Sequence, residues 1–160
     1  LVGDIGGGRG HLLSAVLEAY PSTYGVLFDL PYVIEQAAGP ASNRLTLQAG
    51  DFFRDALPAC DAYLLMEVIH DWNDDEAVTI LQAIRRVAPE RATLLLIEQM
   101  IPDTAGPAWA TLLDIHMLAL LGGRQRSRQE YAALLERSGF LFDREVKVPG
   151  DLSILEARAR

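Results

Sequence analysis

The chain has 160 residues, half of them hydrophobic, with 22 acidic against 14 basic side chains and a formal net charge of −8. That length suits one packed domain with a true core. The acidic balance, with a sequence pI near 4.8, excludes the basic face that a nucleic-acid partner demands. No stretch approaches the roughly 18 apolar residues of a membrane span, so no membrane partner is expected. A single cysteine, Cys60, cannot build a disulfide framework and reads as a small buried hydrophobe, which sets the expectation of a reducing, cytoplasmic setting. The first residue already lies in an apolar run with no Met before it, as expected of a piece of something longer.

In chain order, "LVGDI" (1–5) reads as a strand, and "HLLSAVLEAY" (11–20) spaces its apolar residues as a helix that Pro21 stops. "YGVLFDL" (24–30) is a second strand, followed by a short helix from about Tyr32 to Ala38. "LTLQAGDFF" (45–53) is a third strand. The nearly continuous apolar "AYLLMEVI" (62–69) is a fourth, with the pattern of a strand buried on both faces. "NDDEAVTILQAIRRVA" (73–88) carries an Asn cap, acids in its first turn and arginines near its last, which complement the dipole of a helix. "ATLLLIEQM" (92–100) is a fifth strand, and a helical stretch from about Trp109 to Leu121 runs to a Gly-Gly break. "SRQEYAALLERSG" (127–139) is a capped helix with a glycine stop. Two further strands, "FLFDREVKV" (140–148) and "LSILEARA" (152–159), flank the turn signal Pro149-Gly150-Asp151. Strand–helix alternation predicts a single doubly wound α/β domain: a mostly parallel, seven-stranded sheet closed by an antiparallel hairpin.

The first turn, "DIGGGRGHLL", lies where such a sheet binds its ligand. A phosphate-binding P-loop needs a Lys that this loop lacks. The dinucleotide fingerprint G-x-G-x-x-G also fails: with Gly6 and Gly8 in place the third slot falls on His11, and a frame from Gly7 meets Arg9. What remains is Asp-x-Gly-x-Gly-x-Gly at Asp4, Gly6, Gly8 and Gly10, a pattern that resembles the S-adenosylmethionine loop of class I methyltransferases. Asp29 ends the second strand, where an acid accepts hydrogen bonds from ribose hydroxyls. Asp51 ends the third, where an acid can reach an adenine amino group. Three acids fall at the ends of three successive strands, all on the ligand edge.

His70 follows the fourth strand on the same edge, where an imidazole near neutral pKa suits proton removal from a phenolic hydroxyl. His11 and His116 read as structural by contrast. A general base needs an orienting partner, and Glu98, an acid in the otherwise apolar "LLLIEQM", is the candidate.

Taken together, "DIGGGRG", "LFDLP", "GDFF", "HDWNDDEA", "IEQMIPD", "LDIHMLALLGGRQRS" and "YAALLERSGF" resemble the plant and bacterial small-molecule O-methyltransferases, the family of caffeate-type and polyketide-tailoring enzymes. The resemblance runs along essentially the whole chain. It implies metal-free methyl transfer from S-adenosylmethionine to a hydroxyl of an aromatic or polyketide-like small molecule. By position it puts the base on His70 and its orienting acid on Glu98. Cofactor contacts fall on Gly6, Asp29, Asp51, Phe52 and Trp72, beside Asp4 and Gly8 of the loop, and substrate-pocket residues on Met117 and Leu121. It further implies that residues 1–160 form the catalytic domain, that an N-terminal dimerisation domain is missing from this chain, and that the full-length protein is a homodimer. Two departures stand out: neutral Gln125 where the family's second acid is usual in "GGRERT", and Met66 where many members carry Lys. The competing readings are a cofactor-binding relative without methyl transfer and an NAD-dependent oxidoreductase, the latter already weakened by the broken fingerprint.

Overall fold

A computed structural model describes residues 1–37, 43–101, 123–149 and 152–160. The expected helix from Trp109 to Leu121, with His116, Met117 and Leu121, lies outside these residues, as do two of the three turn residues at 149–151. The strands are β1 (Val2–Ile5), β2 (Gly25–Asp29), β3 (Leu45–Ala49), β4 (Ala62–Met66), β5 (Thr93–Ile101), β6 (Arg126–Ser127), β7 (Phe140–Lys147) and β8 (Leu152–Ala159). The described helices are α1 (His11–Ala19), α2 (Pro31–Ile34), α3 (Asp74–Val87) and α4 (Arg128–Arg137), with a single 3-10 turn at Ile69–Asp71. No helix among the described residues is long and apolar enough to cross a membrane.

Seven strands run in the order β3-β2-β1-β4-β5-β8-β7. The first five pair in parallel and β8 joins β5 antiparallel, so the doubly wound sheet with a closing hairpin forms as the alternation predicts. An eighth strand was not expected: the two-residue β6 adds in parallel to the end of β5, pairing Met100 with Arg126 and Ile101 with Ser127. Strand order reverses between β1 and β4, and the crevice outside their carboxyl ends is the ligand position of this architecture.

Among the described residues, the two faces of the sheet carry clusters of unequal size. α3 and α4 cover one face over a large cluster that includes Ile5, Phe28, Leu65, Ile80, Leu96, Leu135 and Phe140. The other described cluster is small, with Leu13 and Leu17 of α1 against Leu27. Cys60 is buried in the larger core, and burial pushes its thiol up to about 11, the behaviour of a packed hydrophobe.

Two strands end earlier than their apolar runs predict. β3 stops at Ala49, and Gly50 and Asp51 turn the chain toward the crevice. β4 stops at Met66, because Glu67 adopts a left-handed φ of 53° that breaks the extended chain. Its N–H still reaches the Ile97 carbonyl at 2.9 Å, so the chain leaves the sheet while anchored to β5. The apolar Val68 and Ile69 that looked like strand are instead core contacts of the turn that carries His70.

Candidate functional site

The glycine loop between β1 and α1 places Gly6, Gly8 and Gly10 at φ of +70°, +60° and +75°, a region that residues with a Cβ enter only under strain. Gly7 meets a different constraint: a Cβ there would lie 2.4 Å from the Asp4 carboxyl carbon. Asp4 therefore lies directly beneath the loop, 1 % exposed, and among the described residues neither carboxylate oxygen has a donor in full hydrogen-bonding geometry, the Leu13 N–H lying near. Burial raises its pKa to about 6, the Leu13 backbone N–H draws it part of the way back, and the Asp29 charge adds to the rise.

A cleft of about 280 Å³ opens beside this loop. Of the sequence-predicted residues, Gly6, Asp29, Asp51, Phe52 and Trp72 line it, whereas Asp4 and Gly8 are not part of the lining. Asp29 is tied to the loop: its Oδ2 accepts the Gly8 N–H at 2.8 Å and its Oδ1 the Leu30 N–H at 2.7 Å. Asp51 Oδ1 accepts the Phe53 N–H at 2.9 Å, which fixes the tight turn after β3. That turn brings the Phe52 ring to 5.7 Å and the Phe53 ring to 4.8 Å from Trp72, both edge-on, so three aromatic rings form one wall.

The sequence reading missed Phe53, Glu67 and Asp71, which also line the cleft. Phe53 adjoins Phe52 and Asp71 adjoins His70, so adjacency was an available signal for both. Glu67 was hidden inside an apparent strand. The lining thus holds the carboxylates of Asp29, Asp51, Glu67 and Asp71, and no Lys or Arg among the described residues.

His70 sits on the 3-10 turn beyond β4, 7 % exposed, and is not part of the cleft lining. Its Nδ1 lies 2.8 Å from Oε2 of fully buried Glu98, whose Oε1 accepts the Ile69 N–H at 2.8 Å. Its Nε2 lies 3.2 Å from Asp71 Oδ1. The proposed base and orienting acid are therefore together, 28 residues apart in sequence. Burial alone would lower the His70 pKa, but hydrogen bonds to Asp71 and Glu98 and their charges outweigh it and raise it to about 10. Tyr131 lies fully buried nearby, its hydroxyl pushed well above its ordinary pKa by burial and the charge of Glu98.

Of the two departures in sequence, Gln125 is buried and Met66 is 38 % exposed outside the cleft lining. The Asn73 side chain caps α3 through the Asp75 and Glu76 amides, with Glu76 returning to the Asn73 N–H. This capping box places the N-cap directly after Trp72 and fixes where the turn ends.

A family model described as "O-methyltransferase domain" matches residues 1–141. The chain is 40 % identical to the phenazine O-methyltransferase PhzM of Lysobacter antibioticus, over 97 % of this chain and 47 % of that protein. It is 43 % identical to an 8-amino-8-demethylriboflavin N,N-dimethyltransferase of Streptomyces davaonensis, over 86 % of this chain and 41 % of that protein. The crystal structure of human N-acetylserotonin methyltransferase in complex with SAM superposes with a TM-score of 0.93 at 31 % identity, covering 99 % of this chain and 47 % of the human one. The chain thus spans about half the length of the curated relatives it matches.

Proposed function

This chain belongs to the O-methyltransferase family, and from that premise we propose that the protein methylates a hydroxyl of an aromatic or polyketide-like small molecule, with S-adenosylmethionine as donor. The observation that carries the reading is the buried His70–Glu98 pair beside an acid-lined, aromatic-walled cleft.

The cleft fits that cofactor and disfavours a phosphorylated one. Four carboxylates, of which Asp51 has Arg54 at 3.6 Å and Asp71 has His70 at 3.2 Å, leave the lining acidic, which disfavours a pyrophosphate and favours a ligand bearing a sulfonium and an ammonium group. Asp29 and Asp51 are the acceptors for ribose hydroxyls and an adenine amino group, and Phe52 and Trp72 supply the apolar wall for the base. The backbone of the glycine loop, with Gly6 in the lining, permits close approach of the amino-acid end. When bound, S-adenosylmethionine supplies an electrophilic methyl group on its sulfonium.

The chain's own contribution is proton transfer and orientation. Glu98 holds Nδ1, so Nε2 is the atom that takes the acceptor's proton, in the deprotonated ring and in place of its 3.2 Å contact to Asp71; the raised pKa puts that deprotonated form at higher pH than the near-neutral value expected from the sequence. The carboxylates of Glu98 and Asp71 that raise the His70 pKa also stabilise the imidazolium that results. A base of this kind favours a hydroxyl acceptor, which must lose its proton to become a strong nucleophile, over an amine with a free lone pair. We take residues 1–160 as the cofactor-binding and catalytic part, and a homodimer as the assembly of the full-length protein.

The test is transfer of labelled methyl from S-adenosylmethionine to a panel of phenols by the full-length protein and by His70→Ala. The expected result is a phenol that is methylated by the wild type and lost with the substitution. Undiminished transfer in His70→Ala would remove His70 as base, and calorimetry showing NAD bound in preference to S-adenosylmethionine would overturn the reading altogether.

A further inference from the structure

Arg126 is the largest fully buried side chain of the described residues, at 0 % exposure. A guanidinium out of water is tolerated only when it is paired and its donors are used. Here the pairing is specific. Nε and Nη2 both donate to Asp74 Oδ1, at 2.9 and 2.8 Å. Nη2 also reaches the Trp72 carbonyl at 2.8 Å, and Nη1 the carbonyls of Ile69 at 3.1 Å and Arg124 at 3.2 Å. The guanidinium sits 5.9 Å from the centroid of the buried Tyr131 ring.

Ile69 and Trp72 bracket the His70–Asp71 pair. The carbonyl between them, that of His70, accepts the Arg124 N–H at 2.9 Å. Gly123 seals the same contact: a Cβ there would fall 2.1 Å from the His70 oxygen and 2.5 Å from the Asp71 carbonyl carbon. The turn itself is three residues of 3-10 helix, and its own hydrogen bonds, Asp71 N–H to the Val68 carbonyl and Trp72 N–H to that of Ile69, are long at 3.3 Å. The carbonyls of Ile69 and His70 within the turn and of Trp72 just after it are all gripped by the segment 123–126, which β6 in turn locks onto the end of β5.

We propose that Arg126 is a positioning residue for methyl transfer: through the carbonyls of Ile69 and Trp72 it holds the base and the aromatic wall of the cleft as one rigid piece. The proposal rests on the reading of His70 as base. Arg126 does not touch the reacting groups; it acts by fixing the ring against Glu98 and the indole against Phe52. Lys cannot replace it, since one ammonium cannot span two carbonyls and a carboxylate in the guanidinium's planar fork.

The experiment uses the full-length protein with Arg126→Lys, Arg126→Ala and Gly123→Ala. A displacement of the ring of about 1 Å costs on the order of 100-fold in rate. The expected result is a kcat lowered about 10- to 100-fold in Arg126→Lys, together with weaker S-adenosylmethionine binding, and an acid limb of the pH–rate profile displaced toward lower pH as the ring loosens from its two carboxylates. Free guanidinium should restore part of the rate of Arg126→Ala and none of that of His70→Ala. If the arginine variants fail to fold, Gly123→Ala presses on the same turn and should reproduce the signature. Folded Arg126→Lys with wild-type kcat, pH profile and cofactor affinity would overturn the proposal. Activity retained in His70→Ala would instead overturn the base reading. In that event, the NMR titration of the His70 ring and the calorimetric affinity for S-adenosylmethionine still decide whether Arg126 positions this turn.

Discussion

On the β1–β3 side of the molecule, the cleft is built from loop backbone and from acids that reach solvent, between the large core, to which Ile5 and Phe28 belong, and a smaller described cluster of Leu13, Leu17 and Leu27. On the β4–β5 side, His70, Glu98 and Arg126 lie at 7 %, 0 % and 0 % exposure, paired with one another or with Asp71 and Asp74, against the large core. The difference is one of completeness. Charges out of water must be satisfied by the fold itself, so the base side is assembled before anything binds. The cleft side holds Asp29 and Asp51 by backbone N–H groups on the wall of a cavity, where a ligand can become a further partner. A catalytic group must be preorganised and a binding surface need only be complementary.

The contrast breaks most visibly at His70. Replacing it by Ala should lower kcat by about 100- to 10,000-fold, the usual weight of a general base, while the affinity for S-adenosylmethionine stays within a few-fold. Steady-state rates and calorimetry on the same preparation separate the two. A loss of affinity as large as the loss of rate would mean that the two sides are not distinct.

Glu98→Gln should act more gently and in a pH-dependent way. Gln can still accept the Ile69 N–H, but it removes one of the charges that raise the His70 pKa. We expect kcat to fall about 10- to 100-fold and the acid limb of kcat/KM to move toward lower pH, since the imidazolium loses its proton more readily. Stability carries the same sign. A histidine whose pKa rises from 6.5 to about 10 on folding contributes fully below pH 6.5 and loses that contribution as pH rises toward 10. Denaturant titrations between pH 6 and 10 should therefore show a shallower decline in Glu98→Gln than in the wild type.

On the cleft side, Asp29→Asn keeps the side-chain size, removes the charge and sets an NH2 donor against the Gly8 or the Leu30 N–H. We expect S-adenosylmethionine to bind about 10-fold more weakly, with kcat near wild type at saturating donor. A kcat effect larger than the affinity effect would place Asp29 on the base side of the comparison.

The same division governs what the sequence makes legible. Strand-end acids recur at the spacing of the strands, so Asp29 and Asp51 can be read from the alternation alone. The glycine spacing likewise excludes phosphate and dinucleotide ligands. His70 and Glu98 are readable one at a time, but their contact spans 28 residues and follows only from the parallel pairing of β4 and β5. Arg126 leaves no local signal, because the carbonyls it grips lie 54 and 57 residues away. The end of β4 was misread for a related reason: Val68 and Ile69 are as apolar as a strand requires, and burial on a turn looks the same in sequence as burial on a sheet.

Asp4 is the exception within the cleft side, and it supplies the smallest effect and the finest test. It is a buried acid without the pairing that every buried charge on the base side enjoys. Its pKa is raised from 3.8 to about 6, so between those values the folded chain binds more protons than the unfolded one, and stability falls as pH rises through that window. Above it the ionised carboxylate weighs against folding. Asp4→Asn should then stabilise the domain by about 1–2 kcal/mol at pH 7–8, with the gain vanishing near pH 4, where the wild-type acid is protonated as well. Urea midpoints of the two proteins across that range check it. If the carboxylate instead serves the loop, by holding the glycine backbone that Gly7 lays across it, the substitution will lower the affinity for S-adenosylmethionine while raising the midpoint. A stabilised domain that binds its donor less well would show that Asp4 is kept unpaired because the ligand-bound loop requires its charge.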